Sequence, residues 1–101
     1  MKRNPPETQN EIIDRLRKKK SDLKKKYPIK TLYLFGSYSK NEQTENSDVD
    51  IMVELKRPIG FDFVHLAEEL EKILQKRVDV VSSDGIEKKK KKHIEKDLKI
   101  V

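Results

Sequence analysis

Three segments of the chain place hydrophobic residues at helical spacing among polar ones. The first carries a thin apolar stripe among many lysines; Thr8 and Glu11 have the capping-box spacing at its start, and Pro28 ends it. In residues 62–75 the apolar positions recur as in an amphipathic helix. Residues 86–98 predict a last, very basic helix.

Other segments have the composition or the period of two that is typical of β-strands. Residues 30–35 are β-branched and aromatic enough for a buried strand, with Tyr33 and Phe35 expected in the core, and residues 77–81 predict a short strand. In residues 48–55 apolar and polar side chains alternate, so the two sets point to opposite faces of a sheet. The last three residues fit a further short strand.

The order of these elements predicts an α/β (α+β) fold, a mixed sheet of three or four strands with helices packed on it. At 101 residues the chain is long enough for one domain with a modest core. We expect that single domain over residues 1–101, with an N-terminal helix (1–28), a core (29–86) and a basic C-terminal helix (87–101). Residues 4–6 predict an extended lead-in, because proline disfavours helix in the residue before it.

Composition favours a folded chain that is not embedded in a membrane. Charged residues make up 42%, but leucine, isoleucine, valine and phenylalanine number 28 of 101, above the level of roughly 20% below which disorder is expected. There is no cysteine, which excludes disulfides and thiolate metal sites. No apolar run approaches the roughly 20 residues of a membrane span, and the first residues lack the apolar core of a signal peptide, so we expect a cytoplasmic protein.

The net charge of +6 is unevenly distributed. Residues 1–30 carry 11 basic and 4 acidic side chains, residues 31–85 carry 6 and 11, and residues 86–101 carry 7 and 3. A uniform nucleic-acid binder does not need an acidic centre, whereas a cation-binding site does, so nucleic acid is not expected as the main substrate. The five lysines of residues 88–92 point all round a helix and predict a solvated surface.

Three aspartates on predicted strands are candidates for a cation site. Asp48 and Asp50 project from one face, with Cα atoms roughly 6–7 Å apart by strand rise, and suit Mg²⁺ with substrate phosphates; the alternative is an acidic strand edge facing solvent. Asp79 lies among valines, a context that favours burial, where an unpaired carboxylate is costly. Together they could hold two divalent ions about 4 Å apart, the arrangement used for in-line phosphoryl or nucleotidyl transfer.

A Gly36-Ser37 pair breaks the strand that precedes these aspartates. Glycine lets the backbone approach a ligand closely, and serine is a good helix N-cap. If a short helix begins at Ser37, its free N–H groups and its dipole favour phosphate above the strand end. Taken alone, the pair is typical of an ordinary turn.

Gly36-Ser37, ten further residues, Asp48-x-Asp50 and a later Asp79 together resemble the nucleotidyltransferase superfamily that includes DNA polymerase β. At this length the chain looks like a minimal nucleotidyltransferase (MNT) domain, the kind found as the antitoxin of HEPN–MNT toxin–antitoxin pairs. The resemblance implies a catalytic domain that binds ATP and Mg²⁺ and that has a HEPN-type toxin as its protein partner.

On the nucleotide side, the resemblance implies that Gly36, Ser37 and Lys40 hold the triphosphate. The family often has an arginine where this chain has Lys40; lysine binds phosphate as a point charge without the bidentate fork. Asn41 stands where the family often has glycine, which it can replace if the backbone there is left-handed.

On the metal side, the resemblance implies that Asp48 and Asp50 ligate Mg²⁺, with two ions expected, and that Asp79 completes the site and helps to activate the attacking hydroxyl. The implied reaction transfers AMP from ATP to a hydroxyl, a tyrosine of the HEPN ribonuclease toxin, which the modification silences.

Two alternatives stay open from the sequence. An antitoxin that masks its partner by binding needs no chemistry; the lysine at position 40 favours this alternative, and the three aspartates argue against it. A nucleotidyltransferase acting on a small molecule or RNA is the other, although such relatives usually carry extra domains that do not fit in this length.

Overall fold

The computed structural model describes residues 7–101, so the lead-in predicted for residues 4–6 lies outside the described residues. The predicted helices and strands are present, and their ends differ from the predicted ones by at most three residues. In chain order they are α1 (Gln9–Lys26), β1 (Ile29–Phe35), β2 (Val49–Leu55), α2 (Asp62–Leu74), β3 (Val78–Ser82), a 3₁₀ turn (Ser83–Gly85), α3 (Lys88–Glu95) and β4 (Lys99–Ile100).

Local sequence accounts for where the helices start and stop. The Thr8 hydroxyl accepts a hydrogen bond from the Glu11 N–H at 3.2 Å, which caps α1 as the spacing predicted. Tyr27 leaves the helical conformation just before Pro28. At the end of α2, Gln75 adopts a left-handed backbone with φ 53°, and the chain turns from there into β3.

The four strands form one mixed sheet, as expected, and their order in it is β3-β2-β1-β4. β1 pairs antiparallel with β2 and with β4, whereas β2 and β3 are parallel. Parallel neighbours need a crossover connection, and α2 supplies it. The sheet therefore ends at β3, an edge strand that follows directly from the crossover helix.

One face of the sheet carries the hydrophobic core. Alternation along each strand sends one set of side chains into the core and leaves the other set on the opposite face. Tyr33 and Phe35 belong to that opposite set and are half-buried, so their predicted place in the core is wrong. The fully buried core residues of α1, α2, β1 and β2 are Ile12, Leu16, Leu32, Leu34, Val49, Ile51, Val53, Leu66, Leu70 and Leu74.

The basic last helix packs little against this core. None of the side chains of α3 is buried, and its five lysines are exposed, as predicted. Among the described residues, no helix has both the length and the apolar character that a membrane crossing requires.

The core assignment predicts unequal effects for two positions on α2. Leu70 is fully buried, so Leu70→Ala should lower the free energy of unfolding by about 2–5 kcal/mol, measured by urea denaturation. Val64 lies on the same helix and is 55% exposed, so Val64→Ala should change it by less than about 0.5 kcal/mol. Equal losses in the two variants would contradict this packing.

Candidate active site

The chain turns sharply at Gly36, where β1 ends. Gly36 has φ 72°, its carbonyl accepts a hydrogen bond from the Lys40 N–H at 3.2 Å, and the Ser37 carbonyl accepts one from the Glu42 N–H at 2.9 Å. The short helix expected from Ser37 is replaced by turns over residues 36–41. The backbone of Asn41 is left-handed with φ 58°, the conformation in which asparagine can replace the glycine that the family often has there. A left-handed residue at this point prevents the turn from continuing into a helix.

Residues outside the predicted motif hold this turn in place. The Gln9 side-chain amide, in the first turn of α1, donates hydrogen bonds to the Tyr38 and Ser39 carbonyls at 3.0 and 2.9 Å. The Tyr38 side chain is fully buried, and the Ser39 hydroxyl donates to the Gly36 carbonyl at 2.9 Å. Sequence reasoning missed all three. An aromatic residue inside a polar loop was the available signal for Tyr38, and Gln9 had none.

The turn lies against the central carboxylate of the site. Phe35 pairs with Asp50 across β1 and β2, so the next residue, Gly36, lies beside the Asp50 side chain. A Cβ atom added at Gly36 would overlap the Asp50 carboxylate and lie 2.9 Å from its Cγ. Two features therefore require glycine at position 36: the positive φ, and the Asp50 carboxylate, which occupies the space that a side chain would need.

The structure brings the three predicted aspartates together. Asp50 pairs with Asp79 across the parallel strands β2 and β3, and Asp48 immediately precedes β2. Asp50 is half-buried, whereas Asp79 is exposed and Asp48 lies at the open strand end. The burial expected for Asp79 from its valine neighbours is wrong, because β3 is an edge strand and alternation turns Asp79 away from the side that Val78 and Val80 face.

The electrostatics at Asp50 favour a cation. Burial first, and then the negative charges of Asp79 and Asp48, raise the pKa of Asp50 to about 6. Within residues 7–101, no group of three or more histidine, cysteine or acidic side chains is arranged so that it could hold a metal ion by itself. Mg²⁺ commonly takes one or two carboxylates plus substrate phosphates and waters, so one or two of these aspartates would be enough protein ligands for it.

Lys40 is placed at the end of the turn but is engaged elsewhere. Its Nζ atom lies 3.7 Å from an oxygen of Asp97, which follows α3. Both side chains are partly exposed, and such surface pairs contribute at most about 1 kcal/mol. The phosphate-binding role predicted for Lys40 would require it to leave Asp97, at a small cost in free energy.

A mixed sheet in which a glycine–serine turn faces paired aspartates defines the nucleotidyltransferase class of protein. The sequence matches the nucleotidyltransferase domain family over residues 16–101, which is most of the chain. The chain therefore belongs to that family, in the group of minimal nucleotidyltransferases that are protein adenylyltransferases by type.

Two sequence relatives illustrate the group. MJ1379 of Methanocaldococcus jannaschii, a predicted protein adenylyltransferase, is 47% identical over 95 residues, covering 90% of this chain and 95% of that protein. The protein adenylyltransferase MntA of Thermococcus cleftensis is 36% identical over 80 residues, covering 78% and 81%.

Solved structures agree with the fold. A predicted minimal nucleotidyltransferase superposes with a TM-score of 0.79 at 23% identity, covering 94% of this chain and 97% of the other. A toxin–antitoxin complex with AMP-PNP gives 0.68 at 29% identity, covering 91% and 70%. The tri-AMPylated Shewanella oneidensis HEPN toxin in complex with its MNT antitoxin gives 0.59 at 26% identity, covering 91% and 66%.

The contact between turn and carboxylate predicts a specific effect of Gly36→Ala. This variant should lose about 1–3 kcal/mol of unfolding free energy from backbone strain and, because Asp50 is displaced, bind MgATP about tenfold or more weakly. Gly60 also has a positive φ, 56°, but nothing lies within 4 Å of its added Cβ. Gly60→Ala should therefore share the strain and keep MgATP affinity, measured by calorimetry; equal binding losses would contradict the contact.

The raised pKa of Asp50 predicts how stability depends on pH without metal. The unfolded chain releases this proton near pH 3.8 and the folded chain near 6, so the folded state holds more protons between these values and stability falls as pH rises through them. The substitution Asp50→Asn removes this cost. Melting temperatures measured in EDTA should be higher for the variant than for the native chain at pH 8, but not at pH 4. A lower melting temperature of the variant at pH 8 would contradict this explanation.

Proposed function

We propose that this chain is a Mg²⁺-dependent protein adenylyltransferase that transfers AMP from ATP to a hydroxyl of a partner HEPN toxin and thereby neutralises it. The observation that carries the proposal is the direct contact of Gly36 with Asp50, which lies beside Asp79. This contact sets a phosphate-binding turn and a carboxylate group side by side.

The turn is suited to hold the triphosphate of ATP. The first N–H groups of a helix, or of a turn wound like one, have no carbonyl partner within it. They are therefore free to donate hydrogen bonds to phosphate. The backbone hydrogen bonds within this turn use the N–H groups of Lys40 and later residues. The N–H groups of Ser37 and its neighbours therefore remain to donate to the ligand. Lys40 adds positive charge once it leaves Asp97.

Asp48, Asp50 and Asp79 would hold Mg²⁺, with two ions expected. Bound Mg²⁺ supplies positive charge that neutralises the triphosphate and polarises the reacting phosphate. The fit rests on the raised pKa of Asp50, which reflects first its burial and then the nearby negative charges of Asp79 and Asp48.

The transfer itself needs few groups from the protein. The acceptor hydroxyl oxygen forms a bond to the α-phosphorus, the bond from that phosphorus to the bridging oxygen breaks, and pyrophosphate leaves. Asp79 is exposed at the edge of the sheet, where it can accept the hydroxyl proton. Asp50 lies between Asp79 and the turn, where it would hold the metal beside the phosphates.

The partner is inferred from the relatives. A related complex pairs an MNT antitoxin with a tri-AMPylated HEPN toxin, and another contains AMP-PNP. A HEPN toxin is therefore the proposed protein acceptor here, with a tyrosine as the acceptor residue. The open edge at β3 suits an acceptor that belongs to a second protein.

One observation favours a second candidate, an antitoxin that masks its toxin without chemistry. Lys40 replaces an arginine in the motif and is paired with Asp97 rather than free for phosphate. This second function needs none of the three aspartates, so the two candidates give opposite results when the aspartates are neutralised.

The double variant Asp48→Asn, Asp50→Asn tests the proposal. It should abolish transfer of label from α-labelled ATP to the HEPN partner and should lose neutralisation, because no metal is held, while the fold is kept. The double variant Asp14→Asn, Asp22→Asn removes the same charge from exposed positions of α1 and should transfer normally. Full neutralisation by the Asp48/Asp50 variant would instead establish masking.

A further inference from the structure

A second opening adjoins the carboxylates on the side away from the phosphate-binding turn. It is a cavity of about 450 Å³ between residues 45–48, which lead into β2, and residues 75–77, which lead into β3. Asp48 forms one side, and Lys76 and Arg77 form the other. We call this opening the Arg77 cavity.

The backbone places Arg77 firmly at this position. The Val49 N–H donates to the Arg77 carbonyl at 2.9 Å, which ties the residue before β3 to the first residue of β2. The left-handed Gln75, whose N–H donates to the Glu71 carbonyl, turns the chain out of α2 toward the cavity. The cavity is thus part of the fold and borders Asp48 directly.

The strand order places the cavity opposite the turn. Gly36 ends β1, Asp48 precedes β2 and Arg77 precedes β3, so the three lie in that order along one end of the sheet. In-line transfer requires the attacking oxygen and the leaving group on opposite sides of the phosphorus. With pyrophosphate held at the turn after β1, the acceptor must approach from the side of β3, where the cavity opens.

The lining of the cavity does not suit a nucleobase. All seven lining residues are polar or charged, and they include no aromatic or aliphatic side chain on which adenine could stack. Sites for small organic ligands are mostly apolar, with a few placed polar groups. A polar polypeptide segment is the better fit.

Two cations in the cavity have no partner within the chain as described. Lys76 is half-buried and Arg77 exposed, and neither makes an ion pair or a side-chain hydrogen bond to residues 7–101. Arginine binds carboxylates with two parallel hydrogen bonds, and lysine adds a point charge. These donors suit a carboxylate on an incoming segment.

We propose that the Arg77 cavity binds the acceptor segment of the protein substrate, a polypeptide stretch that carries the reacting hydroxyl with a carboxylate beside it, held by Lys76 and Arg77. The proposal rests on the proposed transfer reaction and adds where its acceptor binds. Lys76 and Arg77 make and break no bond in it; they bring the hydroxyl to the α-phosphorus.

The test is steady-state transfer of label from α-labelled ATP to the purified HEPN toxin proposed as the partner of this chain. The double variant Lys76→Ala, Arg77→Ala should raise KM for the HEPN protein about tenfold or more, leaving KM for ATP and kcat within about twofold. Arg77→Lys alone should recover part of the loss. The matched control, Lys24→Ala with Lys25→Ala on exposed α1 positions, should leave every constant within about twofold.

Three outcomes would overturn the inference. An unchanged KM for the HEPN protein in the Lys76/Arg77 variant would show that the cavity does not bind the acceptor. A rise in KM for ATP instead would assign the cavity to the nucleotide. No transfer by the native chain would overturn the proposed function and this inference with it, which distinguishes that failure from the first two.

Discussion

The contact between Gly36 and Asp50 is the constraint on which the site depends. It exists because Phe35 and Asp50 are paired across antiparallel strands, which brings the end of β1 against the carboxylate in β2. The turn cannot move away, since Gln9 and the buried Tyr38 hold it to the body of the domain. The groups proposed to bind phosphate and metal are therefore adjacent before any ligand arrives, which would lower the cost of ordering them.

This arrangement places like charges together, and the rest of the fold makes that tolerable. The sheet buries its aliphatic face against α1 and α2, so the opposite face can carry a carboxylate whose pKa is raised to about 6. A bound cation would offset the burial and the repulsion that raise this pKa, so the proposed ligand binding would be linked to stability. The acidic centre of the sequence thus contains the aspartates whose negative charges help to make Asp50 costly to ionise.

The sequence was informative where the chemistry is local. Hydrophobic period and residue composition predicted the helices and strands, and the spacing of glycine, serine and aspartates predicted the carboxylate group. The features that could not be predicted from the sequence depend on residues that become neighbours only in the folded chain. The exposure of Asp79 follows from the edge position of β3, and the hydrogen bonds of Gln9 and the pairing of Lys40 with Asp97 join segments far apart in the chain. The Arg77 cavity likewise needs two loops that only the parallel pairing of β2 and β3 brings together.

The central claim is that turn and carboxylates form one site for nucleotidyl transfer to a protein. The most direct measurement follows label on the HEPN partner when the native chain is given Mg²⁺ and ATP labelled at either the α- or the γ-phosphate, with EDTA in parallel samples. We expect stable label on the partner from the α-position alone and none in EDTA. Label from the γ-position, or a stable complex that never acquires label, would contradict it.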